Sequence, residues 1–286
     1  MSGTLLSFGH GYSAAALTRR LGRGWRVIGT TRRPEKALRL RNEGLEAHLW
    51  PGDELAPAIR EATHILVSIA PDAAGDPVLV HHAHALAADV PNLLWLGYLS
   101  TTGVYGDHAG GWVDEETPLD PTTQRGRQRV LAETQWQALA ERARLPLHIF
   151  RLAGIYGPGR GPFEKVRSGT ARRIVKPGQY FSRIHVDDIA AVLAASIARP
   201  APGSIYNVAD DDPSPPEDVL AEAARLLGLP IPPEVAFDEA EMTPLARSFY
   251  AESKRVRNDR IKERLGVTLA YPDYRSGLGQ LLASEN

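Results

Sequence analysis

The chain has no cysteine, which excludes disulfides, thiolate catalysis and Cys-ligated zinc or iron–sulfur centres. It has no surplus of either charge: 33 basic residues face 34 acidic ones, for a net charge of −1. Nucleic-acid-binding chains usually carry a basic excess, so that class is set aside. No apolar run is long enough to span a bilayer. The first residues, MSGTLLSFGHGYSAAALTRR, lack the basic stretch that opens a secretory signal and run directly into a strand-like pattern. The expectation is a soluble cytoplasmic protein with no nucleic-acid or membrane partner.

What the chain does have is 286 residues, 43% of them hydrophobic, enough for one large α/β domain or such a domain with a lobe attached. Short apolar runs alternate with helical patterns. Strands are expected at Thr4–Gly9, Trp25–Thr30, Leu45–Trp50, His64–Ala70, Leu93–Ser100 and Leu147–Tyr156. Several are apolar throughout, as in strands covered on both faces. Helices are expected at Ser13–Leu21, Pro34–Asn42, Glu54–Glu61, Pro77–Asp89 and Thr122–Arg144. That alternation predicts a parallel, doubly wound sheet. After Tyr156 the pattern loosens into Gly-, Pro- and Arg-rich loops. A helix capped by Asp187 or Asp188 follows, then a strand at SIYNVAD. Another helix opens at Ser214 with capping-box spacing to Glu217, and DRIKERLG is the last expected helix.

The first strand ends in FGHGYSAAAL, where Gly9, Gly11 and Ala14 fit G-x-G-x-x-G/A between a strand and a helix. The first glycine permits the tight turn and the second lets a pyrophosphate approach the backbone. The first helical residues, Tyr12 and Ser13, then offer amide donors at the positive end of the helix. A plain strand-to-helix turn is the bland alternative, but the context is the one a dinucleotide site requires. At the end of the second strand an NAD site usually carries an acid for the ribose 2′-hydroxyl. Here stand Thr30, Thr31, Arg32 and Arg33, with no acid until Glu35. Arg32 can pair with a 2′-phosphate, so NADP is expected ahead of NAD.

From LSTTGVYG (Leu99–Gly106) onward the sequence resembles the extended short-chain dehydrogenase/reductase family, the NAD(P)-dependent epimerases and dehydratases. PGDEL, VDEETPLDP, RLAGIYGPGRG, RIHVDDIA, SIYNVADD and SKRVRNDRIKERLG follow in that family's order. The resemblance implies a Rossmann-like domain, 1–156 with 182–211, and a smaller C-terminal substrate lobe, 157–181 with 212–286. It further implies that Asp53 contacts the adenine, that Ser68 to Ala70 line the ribose, and that Thr101 supplies the catalytic hydroxyl. His185 and Asp187 match a signature that anchors a helix, which makes His185 structural.

The resemblance breaks at DPTTQRGRQRVLAETQW (Asp120–Trp136). Alignment on Pro121, Gly126 and Glu133 puts Arg125 at the family's catalytic tyrosine and Arg129 at its lysine. Arg129 can still donate to ribose hydroxyls, whereas a guanidinium cannot exchange a proton usefully near neutrality. Other candidates for the proton are Tyr105, Tyr98, His185, Tyr180 and the Asp107/His108 pair, each with an alternative as packing or surface. Two arginines four residues apart on one helix face repel unless water or an anion lies between them. Arg160, Arg167, Arg172, Arg173 and Lys176 lie in the region of the family's substrate lobe; they suit an anionic group such as a nucleotide diphosphate, or are a solvated loop. Of the late cations, Arg255 is expected to reach the cleft, with Arg247, Lys254 and Arg257 on the surface. His81, His82 and His84 read as a helix surface and not a metal site. The helices carrying them and Arg125 form the family's dimer contact, which implies a homodimer. The expected function is an atypical oxidoreductase or epimerase-like enzyme acting on a small polar or anionic substrate, nucleotide-linked substrates included. The alternative is a catalytically silent NADP(H)-binding sensor or scaffold.

Overall fold

The computed structural model describes residues 2–285, and of Leu245 only the backbone. Thirteen strands are present among them: β1 (Gly3–Phe8), β2 (Trp25–Thr31), β3 (Glu46–Leu49), β4 (His64–Val67), β5 (Trp95–Thr101), β6 (Trp112–Val113), β7 (Leu147–Leu152), β8 (Gly154–Tyr156), β9 (Arg173–Val175), β10 (Arg183–His185), β11 (Ile205–Val208), β12 (Glu234–Ala236) and β13 (Arg255–Val256). The helices are α1 (Tyr12–Leu21), α2 (Pro34–Asn42), α3 (Ala56–Glu61), α4 (Pro77–Ala88), α5 (Gln124–Ala143), α6 (Phe163–Arg167), α7 (Val186–Ala198), α8 (Pro216–Leu227), α9 (Pro244–Phe249), α10 (Asp259–Leu265) and α11 (Tyr274–Ala283). No described helix is long and apolar enough to cross a membrane.

Seven strands form one parallel sheet in the order β11-β7-β5-β4-β1-β2-β3. The doubly wound sheet read from the sequence is therefore present, with its direction of winding reversing between β1 and β4. Alternation along each strand sends neighbours to opposite faces. Leu5, Leu66, Leu99 and Phe150 pack with Leu17 of α1 and Ile189 and Leu193 of α7. Leu6, Ile65, Tyr98 and Ile149 pack on the other face with Val78 of α4 and Trp136 of α5. A separate cluster joins Tyr156 and Phe163 to Ala223, Ala224, Tyr274, Leu278 and Leu281. Val256, Ile261, Leu265 and Leu269 belong instead to the α1–α7 face of the main sheet.

Several local expectations are corrected. The run Leu147–Tyr156 is not one strand. It breaks at Ala153, whose N–H bonds the Val208 carbonyl, while Gly154 N–H turns to the Ser182 carbonyl and β8 pairs with β10. Helix α7 is capped by His185, not Asp187 or Asp188: its Nδ1 accepts from Asp187 N–H at 3.2 Å. Asp188 instead accepts from the Ala270 and Tyr271 amides. The capping box at Ser214 does not form, because the Ser214 hydroxyl accepts from Arg183 at 2.8 Å and α8 starts at Pro216. Helix α11 was not foreseen; two glycines weaken its propensity, and Asp273 caps it by accepting from Ser276 N–H.

One buried ion pair fastens the central layer. Arg151 of β7 donates to Glu133 of α5 at 2.8 Å, with both side chains almost fully buried. The Ser100 hydroxyl donates to the same carboxylate. Arg151 also donates to the Tyr105 hydroxyl at 3.0 Å, which donates to Asn207 of β11 at 2.7 Å. Removing one partner of such a pair strands the other charge, so Glu133→Ala should destabilise the protein by about 3–5 kcal/mol. Pairing Glu133→Leu with Arg151→Met should recover part of that loss. Urea denaturation of the three proteins checks both expectations.

His10, His64 and His148 are buried, and that burial lowers each imidazole to about 4. Each stays neutral in the fold yet protonates once unfolded near its ordinary 6.5. The unfolded chain therefore binds more protons between these values, and stability falls as pH drops through 6.5 towards 4. The urea midpoint should decline across that window, and less steeply in His64→Gln.

Candidate active site

Where the winding reverses, the carboxyl ends of the strands part and leave a crevice. A cleft of about 1080 Å³ opens there, lined from Gly11, Tyr12 and Ser13 past Ser68, Ala70 and Thr101 to Arg125 and Arg129. Its far wall comes from Tyr156, Arg160, Tyr180, Phe181, Arg183, Phe249, Glu252 and Lys254.

The glycine turn is held from both sides. Gly9 N–H donates to the Thr30 hydroxyl at 2.8 Å, and the Ser68 hydroxyl donates to Gly9 O at 2.7 Å. Gly9 has φ +76°, and a Cβ there would lie 2.7 Å from Ile69 Cγ1, so only glycine fits. Gly11 precedes α1 without capping it through a side chain. The first-turn amides are thus left for a ligand, at the end of the helix that favours negative charge. The space beside Gly11 is open, since a Cβ would meet only Gly9 O, at 3.5 Å. These residues fit the diphosphate of a dinucleotide. The Tyr12 phenol donates to Pro158 O at 2.9 Å, and the Arg160 guanidinium lies over its ring at 5.8 Å. Burial raises the Tyr12 pKa, with Arg160 opposing.

Arg32 and Asp53, like Gly9 beneath the turn, sit outside the lining. Arg32 follows β2 directly, exposed and without a partner among the described residues. Asp53 turns its carboxylate to its own bend, accepting from Leu49 N–H at 2.8 Å.

At the other end, Thr101 closes β5 and its hydroxyl oxygen accepts from Gly103 N–H at 3.2 Å. Helix α5 starts beside it under a Thr123 cap. The approach is close: a Cβ on Gly126 would lie 2.8 Å from Gly103 O and 2.6 Å from Pro121 Cβ. The two arginines, stacked in sequence, part company in space. Arg129 donates through one Nη to the Tyr98 hydroxyl at 2.9 Å and the Leu99 carbonyl at 2.8 Å. Its remaining N–H groups are unclaimed among the described residues. Arg125 is exposed and has no partner among the described residues.

Of the alternative proton carriers, Tyr180 lines the cleft. Tyr105 is fully buried in the Arg151 network, where burial pushes its pKa up to about 12. Burial raises the Tyr98 hydroxyl as well, against the pull of Arg129. His185 is buried beneath Tyr156 and Tyr271. Asp107 accepts from Ser253 N–H, and His108 meets Tyr105 O.

The expectation for Arg255 is overturned: it is sandwiched between Trp112 and Tyr180, behind the wall, and donates to Gly110 O. Lys254 reaches the cleft instead. Its ammonium donates to Gly106 O at 2.7 Å and to Glu252 at 2.9 Å, and Glu252 in turn accepts from the Thr122 hydroxyl at 2.7 Å. Burial works against the charged Glu252, yet hydrogen bonds from Lys254 and Thr122 hold its carboxyl below the usual range. The one sequence signal was the spacing: residues two apart in an extended segment face the same way. Arg183 is tied to Phe181 O and Ser214, near a buried Asp210 whose carboxyl burial pushes up to about 8. The loop cations are committed elsewhere. Arg167 pairs with Glu285, Arg173 with Glu234, Arg172 donates to the Gly169 and Ala171 carbonyls, and Lys176 to Tyr250 O.

Residues 8–209 match the model of the NAD dependent epimerase/dehydratase family. The structure of a functionally unknown conserved protein from Silicibacter pomeroyi DSS superposes with a TM-score of 0.93, at 62% identity over 99% of both chains. Protein YeeZ of Escherichia coli K12 is 28% identical over 270 residues, 88% of this chain and 89% of that one. A 3-diazoavenalumate denitrifying reductase from Streptomyces is 28% identical over 183 residues, 59% of this chain and 58% of its own. The chain belongs to the NAD dependent epimerase/dehydratase family.

Proposed function

We propose that this protein binds NADP(H) along the cleft and acts as an oxidoreductase or epimerase-like enzyme on a small anionic substrate, without the tyrosine that moves the proton elsewhere in the family. The observation that carries the reading is the continuity of one cleft, from the uncapped start of α1 past Thr101 to Arg125. Residues 1–156 with 182–211 hold the dinucleotide, and 157–181 with 212–286 form the substrate side, with Val256 to Leu269 packing back on the main sheet. The nicotinamide, when bound, gives or takes a hydride. Thr101 orients the substrate: Gly103 N–H occupies one lone pair of its hydroxyl, which leaves the proton to donate outward. Arg129, anchored on Tyr98 and Leu99, turns its remaining N–H groups to the ribose hydroxyls, and Arg125 meets the anionic group of the substrate. A proton has two carriers at the cleft surface, the Tyr180 phenol and the Lys254 ammonium. The naming of one relative as a reductase supports redox chemistry. Val80 and Leu131, exposed on α4 and α5, support a homodimer.

The choice of NADP over NAD rests on Arg32, free and exposed at the end of β2, where a carboxylate would repel a 2′-phosphate. Arg32→Glu should weaken NADPH roughly 10- to 100-fold, the loss of a charge-assisted pair, and leave NADH nearly unchanged. Fluorescence titration with both cofactors reads this, and a wild-type protein that binds neither overturns the proposal. The second reading, a silent NADP(H)-binding sensor or scaffold, is favoured by the diversion of Arg129 to Tyr98. It prevails if NADPH binds but no carbonyl compound or nucleotide sugar in a panel consumes it.

A further inference from the structure

The substrate side of the cleft carries less positive charge than its sequence suggests. Five cations line the cleft: Arg125, Arg129, Arg160, Arg183 and Lys254. Arg160 lies over Tyr12 at the start of α1, the phosphate end. Arg183 is held by Phe181 O and Ser214, Lys254 by Glu252 and Gly106 O, and Arg129 partly by Tyr98 and Leu99. Only Arg125 is both away from α1 and without a partner among the described residues. Of the lobe arginines that a nucleotide diphosphate would need, only Arg160 lines the cleft, at the α1 end; Arg167, Arg172 and Arg173 are absent from the lining, each committed to a carboxylate or carbonyl. One free guanidinium matches one carboxylate; two phosphates would be left short of partners.

The opposite wall sets Tyr180, Phe181 and Phe249 among its held charges. Phe249 lines this wall with 59% of its surface exposed, so its ring is accessible to a guest in the cleft. Phe181 is set edge-on against Tyr250 at 5.4 Å, and the Tyr180 ring is backed by Arg255 at 4.8 Å. Both residues line the cleft with their rings held by these neighbours, and the Arg183 guanidinium also lies over the Phe181 ring at 6.0 Å. Flat rings so held favour a flat, apolar guest that stacks on them.

We infer that the substrate is a monoanion whose carboxylate pairs with Arg125 and whose flat, apolar body, aromatic or conjugated, lies against Tyr180, Phe181 and Phe249, and that it is not a nucleotide sugar. This rests on the proposed dinucleotide at the α1 end, which fills the rest of the cleft. The test is calorimetric titration of the full-length protein, saturated with NADP+, with trans-cinnamate, its neutral amide, acetate and UDP-glucose. Cinnamate should bind more tightly than the other three. Arg125→Ala should weaken it roughly 10- to 100-fold, as expected for a lost charge-assisted pair, and Arg125→Lys should restore part of that. Phe249→Ala should weaken cinnamate and leave acetate unchanged. Tighter binding of UDP-glucose, equal binding of cinnamate by wild type and Arg125→Ala, or no cinnamate binding overturns the inference. Failure of NADP+ itself to bind is seen in its own titration and overturns the dinucleotide reading; cinnamate titrated into the unloaded wild-type and Arg125→Ala proteins then judges the substrate separately.

Discussion

The buried Arg151–Glu133 pair sets the geometry on which the cleft depends. Burying two charges is costly unless their remaining donors and acceptors are filled, and here Ser100 and Tyr105 bond them, with Tyr105 held in turn by Asn207. The arrangement admits little rotation of α5, because turning the helix would withdraw Glu133 from both β5 and β7. Arg129 and Arg125 lie four and eight residues before Glu133, hence on the same helical face. The pair that looks purely structural therefore decides that both arginines turn towards β5 and the cleft.

That shared face does not give the two arginines a shared role. Deeper along the helix, Arg129 finds a phenol and a carbonyl on β5 and becomes part of the wall. One turn earlier the helix emerges into the cleft, and Arg125 has no such partner among the described residues. The repulsion suggested by their spacing is thus relieved without an intervening anion, and the remaining demand for one falls on Arg125 alone.

The sheet and the glycine turn were legible because local pattern decides them. Fully apolar strands such as HILV require cover on both faces, and Gly9 has a backbone conformation that its sequence context foretold. The helix carrying Arg125 was legible through Pro121, Gly126 and Glu133, each with a local or buried reason to be there. What escaped the sequence depends on partners far along the chain. Ser214 could have capped α8, but Arg183 takes its hydroxyl. His185 displaced the aspartates as cap because its ring is enclosed by Tyr156 and Tyr271. Lys254 and Arg255 are adjacent and equally basic; only the extended backbone and the packing of Trp112 decide which one faces the cleft. Arg167, Arg172 and Arg173 looked like an anion site because a sequence shows cations without the carbonyls and carboxylates that answer them.

The Lys254 ammonium bonds a carbonyl 148 residues earlier in the chain, and the Tyr12 phenol one 146 residues later. No contiguous piece of the polypeptide holds both walls of the cleft. A guest that touches both recognises the native chain as a whole and has no counterpart to bind in partly folded forms. Its binding free energy then adds undiminished to global stability, by about 2.7 kcal/mol when ligand stands at a hundred times its dissociation constant. Resistance to unfolding thus becomes a gauge of occupancy that needs no knowledge of the reaction.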